Sequence, residues 1–238
     1  MLFRSSMVRL FLKTHGSFHL LFSISLCFLF FSQNGSAATE IGFVKELSGT
    51  AFAKLPEEDR RQLSANDQIY QRDMITTGKR SSIKLHLKDD TRFELGSDAK
   101  LWASKFIYKQ DVEEDSVTVK ILKGTFRFVT GLIAKRKPEA MNVDTPVATV
   151  GIRGTQVIGE VDETSATIIL IEPEDTSRKS AIVVSNSFGT VAIDEPGYGT
   201  EIPDEFSPPS PPQRMRLQTI NNLMRSMRSI RRINVPRR

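Results

Sequence analysis

Apolar and polar residues alternate in short runs along most of this chain. Ile83, Leu85 and Leu87 are separated by Lys84 and His86, which predicts a strand with one wet face. Asp89-Asp90-Thr91 then turns the chain into Phe93 and Leu95. Period two puts His86 on the solvent side. Val117, Val119 and Ile121 repeat the pattern around Thr118 and Lys120. Lys123-Gly124 turns, and Phe126 and Phe128 continue the core face. Thr167 to Ile171, Ala181 to Val184 and Val191 to Ile193 are short apolar runs rich in β-branched residues. No helical periodicity survives across this region. About ten to thirteen short strands at close spacing predict an all-β domain, a compact β-roll or sandwich.

The stretch from Asn142 to Val157 states the same grammar most plainly. Pro146 removes a ladder donor, which suits a strand entry, and Ala148, Val150 and Ile152 alternate after it. A Gly-Thr turn at Gly154-Thr155 leads into a further strand from Gln156. Gly-Thr recurs at Gly49-Thr50, Gly124-Thr125, Gly189-Thr190 and Gly199-Thr200, each beside a candidate strand. Glycine reaches positive φ at a turn, and the β-branched residue then starts an extended segment. The spacing is irregular, so stacked hairpins are expected and a counted solenoid is not. Upstream, Phe43, Leu47 and Thr50 to Ala53 read as an opening strand pair, and Pro56 to Asn66 as a polar surface loop or a short helical turn.

The pattern changes at both ends. Arg4, Arg9 and Lys13 precede an apolar run from Leu20 to Phe31, and Ser36-Ala37-Ala38 offers small residues for cleavage. This composition predicts a secretion signal over residues 1–38, a mature chain starting near Thr39, and residence in the periplasm or cell envelope. The run is short for a membrane span, which takes ~20 residues. Cys27, the single cysteine, lies inside that run, so no thiol is expected in the mature protein. After the β domain, residues 39–206, Ser207-Pro208-Pro209-Ser210-Pro211-Pro212 predicts a polyproline-II linker. In residues 213–238, Leu217, Ile220, Leu223, Met224, Met227 and Ile230 recur at helical spacing with arginines on the remaining faces. That is a basic amphipathic helix, which Pro236 stops.

Charge sharpens this division. Of 33 Lys and Arg, three precede residue 39, 22 lie in residues 39–212 and eight follow, while all 28 acidic residues lie in the middle part. An acidic β domain therefore carries a basic tail. Arg225, Arg228, Arg231 and Arg232 fit an anionic membrane surface, lipopolysaccharide or another polyanion; docking on the acidic domain, oligomerisation and a disordered tail are the alternatives. Export argues against nucleic acid, which leaves an unknown protein or envelope polymer as partner.

Catalytic chemistry lacks parts. With His86 as the one histidine of the mature chain and no cysteine, a serine triad, a thiol nucleophile and a histidine-rich metal site are each incomplete. Asp111-Val112-Glu113-Glu114-Asp115 lacks the ligand spacing of a calcium loop, and no glycine loop that cradles phosphate appears. The reading is non-enzymatic, with no cofactor and no metal. Arg153 sits in an apolar run, either anchoring a ligand carboxylate bidentately or bracing the strand pair through Asp144, Asp162 or backbone carbonyls. Trp102 and Tyr108 offer either an aromatic surface for a sugar or peptide or ordinary packing.

Thr145-Pro146-Val147-Ala148 followed by Arg153-Gly154-Thr155 resembles the signature of the FecR-like periplasmic domain. Leu63, Asp67-Gln68-Ile69, Asp73-Met74-Ile75-Thr76-Thr77-Gly78, Ser81 to Leu87, Asp90-Thr91 and Leu95-Gly96-Ser97 resemble the same family in order and spacing. The likeness extends over about Ile41 to Ile193. It implies a β-rich fold of packed short strands and a binding or sensing role outside the cytoplasm. The family's regulators carry a cytoplasmic anti-sigma segment before a single span. About nineteen residues precede the apolar run here, so the resemblance carries over the periplasmic half. The expected function is an exported, non-catalytic binding, sensing or scaffold module, the alternatives being a membrane-anchored signalling regulator and an enzyme acting on cell wall or polysaccharide.

Overall fold

The computed structural model describes residues 38–109, 112–172 and 180–227, which fall within one compact unit, Ala38–Arg238. Residues 1–37 with Cys27, Asp111, and Arg228, Arg231 and Arg232 lie outside the described residues.

Among the described residues the period-two segments fold into seventeen strands, arranged as two sheets that share one strand. The first sheet runs β4 (Gln68–Tyr70), β1 (Glu40–Ser48), β6 (Ser82–Leu87), β7 (Arg92–Leu95), β9 (Ser116–Val129), β12 (Gln156–Val161), β13 (Ala166–Ile171), β16 (Tyr198–Ile202), β17 (Gln213–Arg214). The second runs β3 (Arg61–Gln62), β2 (Ala51–Lys54), β5 (Met74–Thr77), β8 (Lys100–Ile107), β9, β10 (Met141–Asp144), β11 (Thr149–Arg153), β14 (Ala181–Asn186), β15 (Gly189–Ile193). Among these pairs, β9 with β10 is parallel and the rest are antiparallel. The strands beyond the ten to thirteen expected include β3, β4 and β17, two or three residues long, in which no period can register.

The shared strand explains the Gly-Thr pairs. Residues 116–123 of β9 pair with β8 and β10 in the second sheet, whereas 124–129 pair with β7 and β12 in the first. The passage occurs at Gly124, whose φ of 97° only glycine takes cheaply. Gly49 (φ 78°) carries the chain from β1 to β2, and Gly154 (φ 55°) carries it from β11 to β12, again from sheet to sheet. Gly189-Thr190 and Gly199-Thr200 lie inside β15 and β16 and mark no crossing. Crossings fall where strand lengths end, which is why the pairs are unevenly spaced.

Both sheets contribute to one apolar core. Ile83, Leu85 and Leu87 meet Val117, Val119, Ile121 and the fully buried Phe93, Phe126 and Phe128; Phe93 and Phe128 pack tilted at 5.8 Å. Each such side chain contributes about 1.5–3 kcal/mol on burial. His86 lies on the outer face, stacked on Phe43.

The amphipathic helix forms over Leu217–Met227 and lies on the outside of the first sheet. Leu223 and Met227, with Ile220 and Met224 beside them, cover Ile158, Ile169 and Ile171. Ser226 Oγ donates to Thr125 Oγ1 at 2.9 Å. The stripe from Ile220 to Met227 is thus taken up by its own domain, and Leu217, Arg216 and Arg225 are left exposed. The Pro-rich segment also differs from the spacer expected of it. Thr200 Oγ1 donates to Ser210 O (2.7 Å), Ser210 N donates to Glu201 O (3.0 Å), and Pro209 is buried. Hydrogen bonds from β16 hold it along the domain.

Candidate functional site

Three loops meet at the end of the second sheet where β10 turns into β11. Thr145 organises the first. Its hydroxyl donates to Ala148 O (2.8 Å) and accepts from Ala148 N (3.0 Å), while Thr145 N also donates to Ala148 O (2.8 Å). Pro146 occupies the tip, exposed, where a missing N–H costs nothing. Thr149 Oγ1 donates to Asp144 Oδ1 at 3.0 Å and ties the two strands below the turn.

Asn186, at the end of β14, joins that turn to the other two. Its Nδ2 donates to Val147 O (3.2 Å) and to Ser207 O (2.8 Å), and its Oδ1 accepts from Phe188 N (2.9 Å) and Gly189 N (3.1 Å). All four hydrogen-bonding positions of the amide are used. In the third loop Asp204 accepts from Phe206 N (2.8 Å) and Ser207 Oγ (2.9 Å). The Phe206 N–H, then the Ser207 hydroxyl, hold its carboxyl below the ordinary aspartate range.

The outcome is an ordered loop end with aromatic side chains facing water. Phe188 is 51% and Phe206 71% exposed, and their rings meet edge-on at 6.4 Å. With exposed Pro146 and Pro208 nearby they form an apolar surface held by polar backbone contacts. A contiguous patch of exposed apolar side chains, unlike single scattered ones, points to an interaction site.

Of the residues singled out in the sequence, Thr145 and Pro146 belong to this end. Arg153, Gly154 and Thr155 stand at the far end of β11. Arg153 is exposed, and its guanidinium has no hydrogen-bond or ion-pair partner among the described residues, so the brace to Asp144 or Asp162 is not formed. Gly154 O accepts from Ser180 Oγ (3.4 Å), Thr155 is buried, and Thr155 O accepts from Thr130 N (3.1 Å). Trp102 and Tyr108 do not share a surface. A bulge in β8 between Trp102 and Lys105 reverses the alternation. Trp102 lies on the outer face with Lys120 Nζ 5.5 Å from its ring centroid, and Tyr108 turns back to the core under Arg136. Arg225 is exposed on the helix.

The buried acids act as struts. Asp89 accepts from Thr91 N (3.1 Å), Thr91 Oγ1 (2.8 Å) and Ile133 N (3.3 Å). It thereby caps the helix Leu132–Arg136, whose own N-cap residue, Gly131, supplies no side chain. Burial pushes the Asp89 carboxyl up, against the pull of these donors. Asp73 takes both guanidinium nitrogens of Arg61, at 2.7 and 2.6 Å. Asp115 Oδ1 accepts from Lys109 N (2.9 Å), and its Oδ2, without a hydrogen bond, faces Arg136 at 3.8 Å. Among the described residues no group of three His, Cys, Asp or Glu could hold a metal ion, and no helix is long and apolar enough to cross a membrane.

The sequence reading missed Asn186, Phe188 and Phe206. Phe188 carries a usable signal, an aromatic residue in the two-residue turn Ser187-Phe188 where polar residues are the rule.

A family model described as FecR protein matches residues 73–172. Two crystal structures of a candidate anti-sigma factor from Parabacteroides distasonis are similar in fold. One, at 2.50 Å, has a TM-score of 0.46 and 13% identity over 63% of each chain. The other, at 1.65 Å, has a TM-score of 0.47 and 12% identity over 63% of this chain and 64% of its own. The present chain thus spans just under two thirds of their length. No curated protein matches.

Proposed function

We propose for this chain, whose residues 73–172 match the FecR protein family model, a role as an exported, non-catalytic binding and sensing module of the cell envelope. Its recognition surface is the loop end bearing Pro146, Phe188 and Phe206, and its partner is another protein. The observation that carries this reading is the exposed Phe188–Phe206 pair, held in place by Asn186 and Asp204. Rigid aromatic anchors contribute disproportionately at protein interfaces, because little side-chain entropy is lost when they dock.

The test is affinity capture from an envelope extract with the unit Ala38–Arg238 and with its Phe188→Ser/Phe206→Ser variant. Both residues are surface-exposed, so the variant should melt as the parent does. A protein retained by the parent and lost from the variant supports the reading; equal retention by both contradicts it.

A membrane-anchored signalling regulator is the second reading, favoured by the family match. The intact mass of the cellular protein separates the two. Loss of residues up to about Ala38 fits export, and a retained Met1 fits the anchor.

A further inference from the structure

The outer faces of the two sheets treat charge differently. On the first, Lys84 Nζ lies 2.9 Å from Glu46 Oε2, Lys88 Nζ 3.3 Å from Glu40 Oε1, and Arg127 Nη1 2.9 Å from Glu94 Oε1. On the second, Lys54, Lys100, Lys105, Lys120 and Lys123 form no ion pair among the described residues. Lys120 is half-buried and the other four are exposed.

Register gathers these lysines around one ring. Met74 of β5 pairs with Lys54 on one side and with Trp102 on the other, and Trp102 pairs with Lys120. Their neighbours Ala53, Ile75, Leu101 and Ile121 lie in the core, so this row faces outward. Lys100 pairs with Lys123 on one side of the row, and Lys105 with Thr118 on the other. At ~4.8 Å between strands and ~6.8 Å between alternate residues, all five lysines leave the backbone within about 10 Å of Trp102. Lys120 Nζ stands 5.5 Å from the Trp102 ring centroid, so ring and charge are presented together.

Other charges nearby do not cancel them. Asp144 stands beside Lys120 in register, but its carboxylate accepts from Thr149 Oγ1 (3.0 Å) and makes no ion pair with Lys120. Arg153 adds a cation on the same face of β11. Among the described residues, acids return in the turns at the strand ends: Glu57, Glu58 and Asp59 after Lys54, Asp98 before Lys100, and Glu113 and Glu114 after β8, where Glu114 pairs with Lys109. Between those turns the lysines repel one another, and an anion relieves that repulsion.

The apolar groups select among anions. Phe52 is covered by Arg60, whose Cζ lies 3.7 Å from its ring centroid, and Met74, Trp102 and Leu122 are half-buried. A membrane-binding face presents apolar side chains that insert. The exposed ones, Val183, Phe188, Phe206 and Leu217, lie elsewhere. A shallow ring among ammonium groups fits a sugar residue that bears a carboxylate, its C–H face on the indole and its carboxylate accepting from lysine. Lysines are point charges on flexible stems, which match singly spaced carboxylates better than the forked phosphate contacts that arginine makes.

We propose that the outer face of the second sheet around Trp102 binds a polysaccharide rich in uronic acid. The choice of a glycan over nucleic acid rests on the export reading above, and neither Trp102 nor the five lysines belong to the Phe188–Phe206 end.

Titration calorimetry of Ala38–Arg238 with polygalacturonate tests it. The expected result is binding that weakens with salt and is lost with the fully methyl-esterified polymer, which keeps the ring and removes the charge. Lys100→Gln/Lys105→Gln/Lys120→Gln and Trp102→Ala should each weaken binding at least about tenfold, the lysine variant also flattening the salt dependence. Lys84→Gln/Lys88→Gln, on the first sheet, should leave it unchanged. The lysines lie at the surface, so the triple variant melts as the parent does and carries the test even where Trp102→Ala fails to fold. No binding, full affinity in the lysine variant or in a folded Trp102→Ala, or tighter binding of oligothymidylate or phosphatidylglycerol vesicles overturns the proposal. The two readings fail separately: a retained Met1 on the cellular protein ends the export reading without altering this titration, and a failed titration leaves export standing.

Discussion

Replacing Asn186 by alanine removes four hydrogen bonds at once: two to carbonyls of the flanking loops, Val147 O and Ser207 O, and two from the amides of its own turn, Phe188 and Gly189. Asn186 is half-buried, so water reaches some of the orphaned groups. A net value of about 0.5–1 kcal/mol each is appropriate, rather than the full desolvation cost of ~1–3. The sum is about 2–4 kcal/mol, which for a domain of this size lowers Tm by roughly 4–16 °C. Urea denaturation followed by the fluorescence of Trp102, the sole tryptophan, gives the change in midpoint at constant slope. Asn186→Asp provides an internal check. It keeps an acceptor for Phe188 N and Gly189 N but turns a second oxygen on two carbonyls. It should therefore be at least as damaging as alanine near neutral pH and recover on acidification. A loss below ~0.5 kcal/mol for Asn186→Ala, or an aspartate variant as stable as the parent, would refute the claim that this amide holds the three loops together.

Three further outcomes follow from the same structure. Leu223→Ala opens the contact between the C-terminal helix and Ile158, Ile169 and Ile171 and should cost about 2–3 kcal/mol in the same urea assay, near the lower end for a buried leucine; a free tail would register nothing. Gly131→Ala places a methyl group 2.2 Å from Asp89 O and 2.3 Å from Thr91 N, both backbone atoms. It should be among the most damaging single changes, about 3 kcal/mol or more, with protease sensitivity rising around residues 131–136. For Asp204, a depressed folded pKa means that its contribution is fully present above the ordinary carboxylate range and is lost as pH falls through the folded value. The Phe206 ring signals in NMR should therefore hold their native positions down through pH ~4 and collapse only below it; collapse already at pH 5–6 would contradict the assignment.

The parts of this fold legible in sequence are those in which period two runs unbroken against a single core. Ile83, Leu85 and Leu87 and the Val117–Val119–Ile121 series are of that kind, and each lies on the face its alternation predicts. Trp102 and Tyr108 read in sequence either as one aromatic surface or as ordinary packing. One bulge, invisible to composition, separates them. The helix was legible as a helix, since Ile220, Leu223, Met224 and Met227 repeat at its period. Its destination was not, because β12 is apolar on both faces through Val157 and Ile158, and such a run does not say what covers its second side. Arg153 misled for a related reason: its apolar neighbours suggested burial, yet it is the last residue of β11, exposed where Gly154 turns the chain over to the first sheet. The candidate site was half legible. Thr145 and Pro146 have turn chemistry that can be read locally, whereas Asn186 matters through contacts 39 and 21 residues away in the chain.

Photo-crosslinking in the intact envelope decides whether the ordered Phe188–Phe206 end recognises a protein partner. A benzophenone amino acid would be placed singly at Phe188, at Phe206 and, as a reference on the opposite sheet, at His86. Discrete adducts of one mass from positions 188 and 206, absent from position 86, are the predicted result. No adduct from 188 or 206, or the same adducts from all three positions, would contradict it.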